Sequence, residues 1–188
     1  AIYNMLVRVF DPTFIWHTYA CRKGKGTHQA IAQVQKMSRQ GEYVLKLDIK
    51  HYFETLPHQK LQLLIRRLIK GKQVLALCDQ LIEHAPTRHK AGYGLPIGNL
   101  TSQHFANLYL GQLDHFIASQ KALPKVISKV NYVRYMDDLV LIAQKRQDLR
   151  YLESRISHFV QSDLGLQLKS SARQLTHVRP GIPFLGCR

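Results

Sequence analysis

Apolar positions along the chain fall into two periods, and the switch between them outlines the fold. Ile2, Leu6, Val9 and Phe10 recur at helical spacing and predict a short helix ending near Asp11-Pro12. Residues 14–19 are rich in aromatics and read equally as extended or helical. Thr27 is a candidate N-cap, followed by a helical stripe of Ile31, Val34 and Met37 that runs up to Gly41. Over residues 43–49 the period drops to two. Leu45, Leu47 and Ile49 then share one strand face, and Lys46 and Asp48 share the other. Pro57 opens a helix whose Leu61, Leu64, Ile65 and Leu68 form an inward stripe. Residues 73–84 continue as a second helix, and residues 86–96 read as a polar loop. Phe105, Leu108, Gln112 and Phe116 predict a helix over residues 99–120. Strand-forming residues return at 132–143, "YVRYMDDLVLIA", broken by two adjacent acids. Asp148 is placed to cap a further helix with Leu149, Leu152, Ile156, Phe159 and Val160 inward, and Gly165 to end it. Residues 166–169 predict a strand, and residues 174–178 with 182–187 a second hairpin.

Strand, helices, strand-turn-strand, helix, strand is the order of a split βαββαβ unit, so the fold class expected is α+β. In that topology the first strand and the hairpin lie in one antiparallel sheet. Asp48 and the Asp137-Asp138 tip then meet on one sheet edge, although they are far apart in sequence. No internal repeat or low-complexity linker divides the chain.

With 188 residues, 45% of them hydrophobic, the chain has enough apolar surface for a real core. Its 27 Lys and Arg against 12 Asp and Glu leave a formal net charge of +15, spread along the sequence, which points to a polyanion, nucleic acid first. Cys21, Cys78 and Cys187 are too far apart for a zinc spacing and read as reduced thiols of a cytoplasmic compartment. No run approaches the ~20 apolar residues of a membrane span. Both ends read as cut from something longer.

Against that background the paired acids have two readings, an ordinary polar turn or a metal site at a hairpin tip. Three clustered carboxylates raise one another's pKa unless a cation intervenes. Two Mg²⁺ ions, roughly 3.5–4 Å apart, would relieve the repulsion, activate an attacking hydroxyl and stabilise a departing pyrophosphate.

"YMDD" between apolar strands resembles the active-site hairpin of reverse transcriptases. "LKLDIKHYF" resembles their first acidic motif, "GLPIGNLTSQHFANLYL" their loop-helix motif beneath the incoming nucleotide, and "YACRKGKGTHQAI" their fingers-side motif. "LGLQLKSSARQL" and "GIPFLG" resemble the segments after the hairpin. The matches follow family order along nearly the whole chain. Residues 97–103, "IGNLTSQ", look most like the bacterial and phage diversity-generating retroelement enzymes, where many relatives, group II intron enzymes included, carry Pro-Gln-Gly.

The resemblance implies a polymerase palm with part of the fingers and no thumb. It divides the chain into partial fingers at 1–42, palm at 43–72, an insertion at 73–93, and palm again at 94–188. It implies RNA-templated DNA synthesis with Mg²⁺, Mn²⁺ being able to substitute. Asp48, Asp137 and Asp138 match the catalytic and metal-binding acids, and the Ile49 backbone carbonyl joins the metal sphere in this family. Phe53 matches the aromatic gate that excludes a ribose 2′-hydroxyl, with Tyr52 the neighbour most easily confused with it. Gly98, Ser102 and Gln103 match contacts to the nascent base pair. Lys169 matches a proton donor to pyrophosphate, or is a solvated strand-edge lysine. Arg22, Lys23 and Lys25 resemble a turn that tracks template phosphate. Tyr135 and Met136 divide between packing and primer contact. The partners implied are an RNA template, a DNA or RNA primer, deoxynucleoside triphosphates and, in the retroelement subgroup, a small basic accessory protein; no membrane is involved. Two other readings stay open: a polymerase-like RNA-binding module without catalysis, and a defence-type, template-independent nucleotidyltransferase sharing the acids.

Overall fold

A computed structural model describes residues 2–84, 90–119 and 130–187. Its helices are α1 (Ile2–Phe10), α2 (Thr27–Ser38), α3 (Tyr52–Thr55), α4 (His58–Leu68), α5 (Lys72–Glu83), α6 (Leu100–Ala118) and α7 (Arg146–Ser162). Its strands are β1 (Tyr43–Asp48), β2 (Asn131–Tyr135), β3 (Asp138–Ala143) and β4 (Gln174–His177). The four strands form one antiparallel sheet in the order β2-β3-β1-β4, so the chain is α+β.

The period-two pattern sorts β1 and β3 onto two faces. Leu45, Leu47, Ile49, Leu139, Leu141 and Ala143 join the larger core with α4, α5, α6 and α7. The opposite face carries a second apolar cluster. Val44, Val133, Val140 and Ile142 pack there with Ala30, Val34 and Met37 of α2 and with Ile182 and Phe184. Burying one such Leu or Val side chain is worth roughly 1.5–3 kcal/mol. Leu6, Phe10 and Phe14 belong to the larger core, so the first helix packs on the same centre as the sheet. Gly41 lets the end of α2 close on β3: a Cβ there would lie 2.6 Å from Ile142 Cγ2 and 3.0 Å from the Ala143 carbonyl oxygen.

Several expectations change in the structure. Gly26, not Thr27, is the N-cap of α2; Thr27 is its first helical residue and donates to the Tyr135 hydroxyl at 3.2 Å. Lys145 occupies the N-cap position of α7 without a side-chain cap bond, and Asp148 is buried in the first turn. Residues 166–169 form no ladder strand. They run as an extended strap past the end of β1, held by Lys50 N–H to Gln167 O and Lys169 N–H to Asp48 O, both 2.8 Å. Nor do residues 174–178 and 182–187 pair as a hairpin. β4 pairs with β1, whose outer edge offers a longer run of partners, and Phe184 bridges only to Cys187. α6 has no single apolar stripe; it is buried on nearly every side because α1, α4, α5 and α7 surround it. The four-residue α3 is too short to leave a period. Residues 86–89 of the expected loop, and Gln120 of the expected helix, lie outside the described residues. Among the described residues no helix is long and apolar enough to cross a membrane.

Candidate active site

β1 ends at Asp48, and β3 begins at Asp138, its register partner. Directly opposed residues in an antiparallel pair share a face, so these two acids stand side by side on the α2 face of the sheet. Met136 and Asp137 form the two-residue turn between β2 and β3. Met136 takes the left-handed conformation, φ +53°, that such a tight hairpin requires. The turn delivers Asp137 into a cavity of about 390 Å³ whose walls include Asp48, Ile49, Tyr52, Lys169 and Ser170. Asp138 does not line this cavity.

Burial raises the Asp137 carboxyl above the usual carboxylate range. A hydrogen bond from its own backbone pulls it back, Asp48 pushes it further up, and Arg134 and Lys169 pull it down. Burial pushes Asp138 up to about 6, against the pull of Lys46 and with Asp48 and Asp137 adding to the push. Ionising Asp137 and Asp138 in these positions is uphill, and a nearby cation would reverse that. The donor set of carboxylate oxygens suits a hard divalent cation. The expected tight three-acid cluster is looser than that: among the described residues no three Asp, Glu, His or Cys side chains close to metal-ligand spacing. Of the three acids, Asp48 and Asp137 line the cavity and present carboxylate oxygens there, a donor set that fits a hard divalent cation.

The remaining candidates spread around this centre. Ile49 has its side chain in the core, 1% exposed, so only its backbone can serve the cavity. Phe53 is half-buried against the core beside Tyr52, ring centroids 5.7 Å apart. Tyr52 is the aromatic that lines the cavity, but its hydroxyl is tied to Ala106 O at 2.5 Å. Gly98 sits at φ +89° with no atom within 4 Å of where a Cβ would stand, an open backbone that a ligand can approach. Ser102 is buried in the first turn of α6, while Gln103 is half-buried and accepts from Cys21 Sγ at 3.3 Å. Lys169 is exposed at the cavity wall. Tyr135 and Met136 both pack against core residues.

The basic turn divides. Lys23 is exposed. Arg22 is instead committed to the fold, with Nε on Asp11 at 2.7 Å and Nη1 on the carbonyls of Ile15 and Thr18 at 2.7 and 3.1 Å. Lys25 stacks over Trp16, its Nζ 3.5 Å from the ring centroid. Sequence reasoning missed Arg134 altogether. An arginine inside a strand pattern reads as solvated, yet it is fully buried and ion-paired with Asp114.

The whole chain, residues 1–188, matches the family model described as reverse transcriptase (RNA-dependent DNA polymerase). The chain belongs to the reverse transcriptase family. This family generally depends on divalent metal. A COX1/OXI3 intron 2 protein of Saccharomyces cerevisiae is 20% identical over 97% of this chain and 28% of its own length. The group II intron-encoded protein LtrA of Lactococcus lactis is 26% identical over 64% of this chain and 21% of its own. This reverse transcriptase chain therefore spans about a quarter of the length of these two relatives. Telomerase from Candida tropicalis, solved with a TWJ fragment of telomeric RNA, superposes with a TM-score of 0.70 at 13% identity, covering 96% of this chain and 34% of that one. At that identity the likeness is one of fold.

Proposed function

We propose that this chain is the catalytic core of an RNA-directed DNA polymerase, extending a DNA or RNA primer on an RNA template from deoxynucleoside triphosphates. The observation that carries the reading is the pairing of Asp48 with Asp138 across β1 and β3, which leaves Asp137 and Asp48 facing one cavity. Asp48 and Asp137 would hold divalent cations there, with Asp138 and the Ile49 carbonyl in support. Two Mg²⁺ would activate the primer hydroxyl and stabilise the leaving pyrophosphate. Lys169 stands at the same wall, where it can return a proton to that leaving group. Phe53 acts as the sugar gate, and Gly98, Ser102 and Gln103 meet the nascent base pair. Lys23 and Lys25, with the +15 net charge behind them, favour template phosphate. Tyr135 and Met136 border the primer end. The strand order supports a split βαββαβ palm at residues 43–72 and 94–188, with 1–42 giving part of the fingers and 73–93 an insertion.

The motif at residues 97–103 supports a diversity-generating retroelement enzyme, error-prone opposite template adenines and served by a small basic accessory protein. The intron-encoded relatives support a second reading, an intron-type enzyme that copies its RNA evenly. Sequencing the product of one defined RNA separates them, since errors concentrated at template adenines fit only the first.

The deciding experiment is extension of a primed RNA with Mg²⁺ or Mn²⁺, by the wild type and by Asp137→Asn. Templated extension that falls at least 100-fold in the variant is expected. RNA binding without extension would leave a non-catalytic module, and addition without a template would leave the template-independent transferase.

A further inference from the structure

The one fully buried arginine among the described residues, Arg134, lies on β2 two residues before the turn that carries Asp137. All five of its N–H donors have acceptors, the full complement of a guanidinium. Nε donates to Asp114 Oδ1 at 2.7 Å and Nη2 to Asp114 Oδ2 at 2.5 Å, a bidentate pair with α6. Nη2 also donates to the Asn107 carbonyl at 3.2 Å, and Nη1 to Asn107 Oδ1 at 2.7 Å. The remaining Nη1 donor goes to the Met136 carbonyl at 2.9 Å.

That last bond stands apart from the rest. Met136 is the left-handed residue of the turn, and a side chain in that conformation costs roughly 1–2 kcal/mol, so surrounding contacts must hold it. Its carbonyl carbon is bonded directly to the Asp137 nitrogen, so fixing that carbonyl fixes the peptide plane from which Asp137 projects. The other end of the guanidinium is equally fixed. Asp114 also accepts from Tyr132 Oη and Thr18 Oγ1, both at 2.7 Å, and Asn107 Nδ2 donates to Ala20 O at 2.9 Å. The frame that locates the turn is therefore α6, whose opening turn carries Ser102 and Gln103.

We infer that Arg134 is a positioning residue, setting the place of Asp137 relative to α6 through the Met136 carbonyl. The inference rests on the polymerase reading for its effect on rate, but not for its effect on the turn. A lysine, with three donors on one atom, can keep the Asp114 pair but cannot span both Asp114 and the Met136 carbonyl. A displacement of about 1 Å at a reacting group can cost on the order of 100-fold in rate.

Arg134→Lys should lower kcat for primer extension at least tenfold with the nucleotide KM within twofold. Thr18→Val is the control: it removes one bond to Asp114 and touches nothing in the turn. It should lower Tm while leaving kcat within twofold. Amide hydrogen exchange supplies a readout free of catalysis. Arg134→Lys should speed exchange at residues 136–138 at least fivefold beyond Thr18→Val. If Arg134→Lys does not fold, Asn107→Ala removes the other acceptor of Nη1 and should speed the same amides at least twofold beyond the control. Equal kcat losses in the lysine and valine variants, or exchange at 136–138 no faster than in the control, overturns the inference. A wild type that extends no primer overturns the polymerase reading instead, and the exchange measurement still decides the role of Arg134.

Discussion

Replacing Asp138 by Asn should make the metal-free chain more stable, with a gain that grows as pH rises above about 4 and is complete above about 6. Burial, helped by Asp48 and Asp137, lifts the Asp138 carboxyl from 3.8 to about 6. An acid whose folded pKa is raised holds its proton more tightly in the fold than in the unfolded chain. Below about pH 4 both states are protonated and the group has no effect on stability. Between about 4 and 6 the unfolded chain gives up its proton first, so stability falls as pH rises. Above about 6 both states are ionised and the whole penalty is in place. At ~1.4 kcal/mol per pKa unit the ceiling is about 3 kcal/mol. The side chain is only half-buried, and screening by water brings the expected gain to about 1–2 kcal/mol. For a chain of this size, each kcal/mol moves Tm by roughly 2–4 °C.

The assay is thermal unfolding by circular dichroism in EDTA, at pH 8 and pH 4. Asp138→Asn should melt about 2–8 °C above wild type at pH 8 and within about 1 °C of it at pH 4. Adding 10 mM Mg²⁺ at pH 8 should narrow the gap, because a cation relieves the wild-type repulsion that the variant lacks. Equal shifts at both pH values would mean a packing effect. A lower Tm at pH 8 would mean that the acids are not in electrostatic conflict, and the metal argument would lose its ground.

Phe53→Val should admit ribonucleotides, read as the ratio of ribo- to deoxynucleotide incorporation in primer extension; an unchanged ratio removes the gate role. Gly41→Ala should cost about 1–3 kcal/mol by urea unfolding, since the new methyl would stand 2.6 Å from a fixed methyl of buried Ile142. Lys23→Ala should weaken RNA binding and reduce the slope of log affinity against log salt by about 1. Arg22→Ala should leave that slope alone and lower stability by about 1–3 kcal/mol, because its guanidinium holds Asp11 and two carbonyls inside the fold.

What the sequence made legible follows from what leaves a local trace. Leu45, Leu47 and Ile49 alternate with Lys46 and Asp48, and that period fixed both the strand and the face on which Asp48 lies, as the β1–β3 register bears out. The adjacent acids marked the turn to within one residue: Asp137 lies in it with Met136, while Asp138 already opens β3. The far side of the sheet was invisible: Val44 gives no sign that α2 and Phe184 cover it, since a cover contributed from elsewhere leaves no mark on the covered strand. Pairing was legible where a tight turn joins the partners, and for β1 with β3 through the βαββαβ order. β4 reaches β1 across the whole domain, so neighbours in sequence, residues 182–187, stood in for its true partner. Charge was the least legible property of all. Arg22 and Arg134 look like solvent-facing cations by type, and both are turned inward by acceptors contributed from distant segments. Residue type can thus nominate the acids proposed to carry the chemistry. The group inferred to position Asp137 is a buried cation, Arg134, whose partners, Asn107, Asp114 and the Met136 carbonyl, become neighbours only when the fold closes.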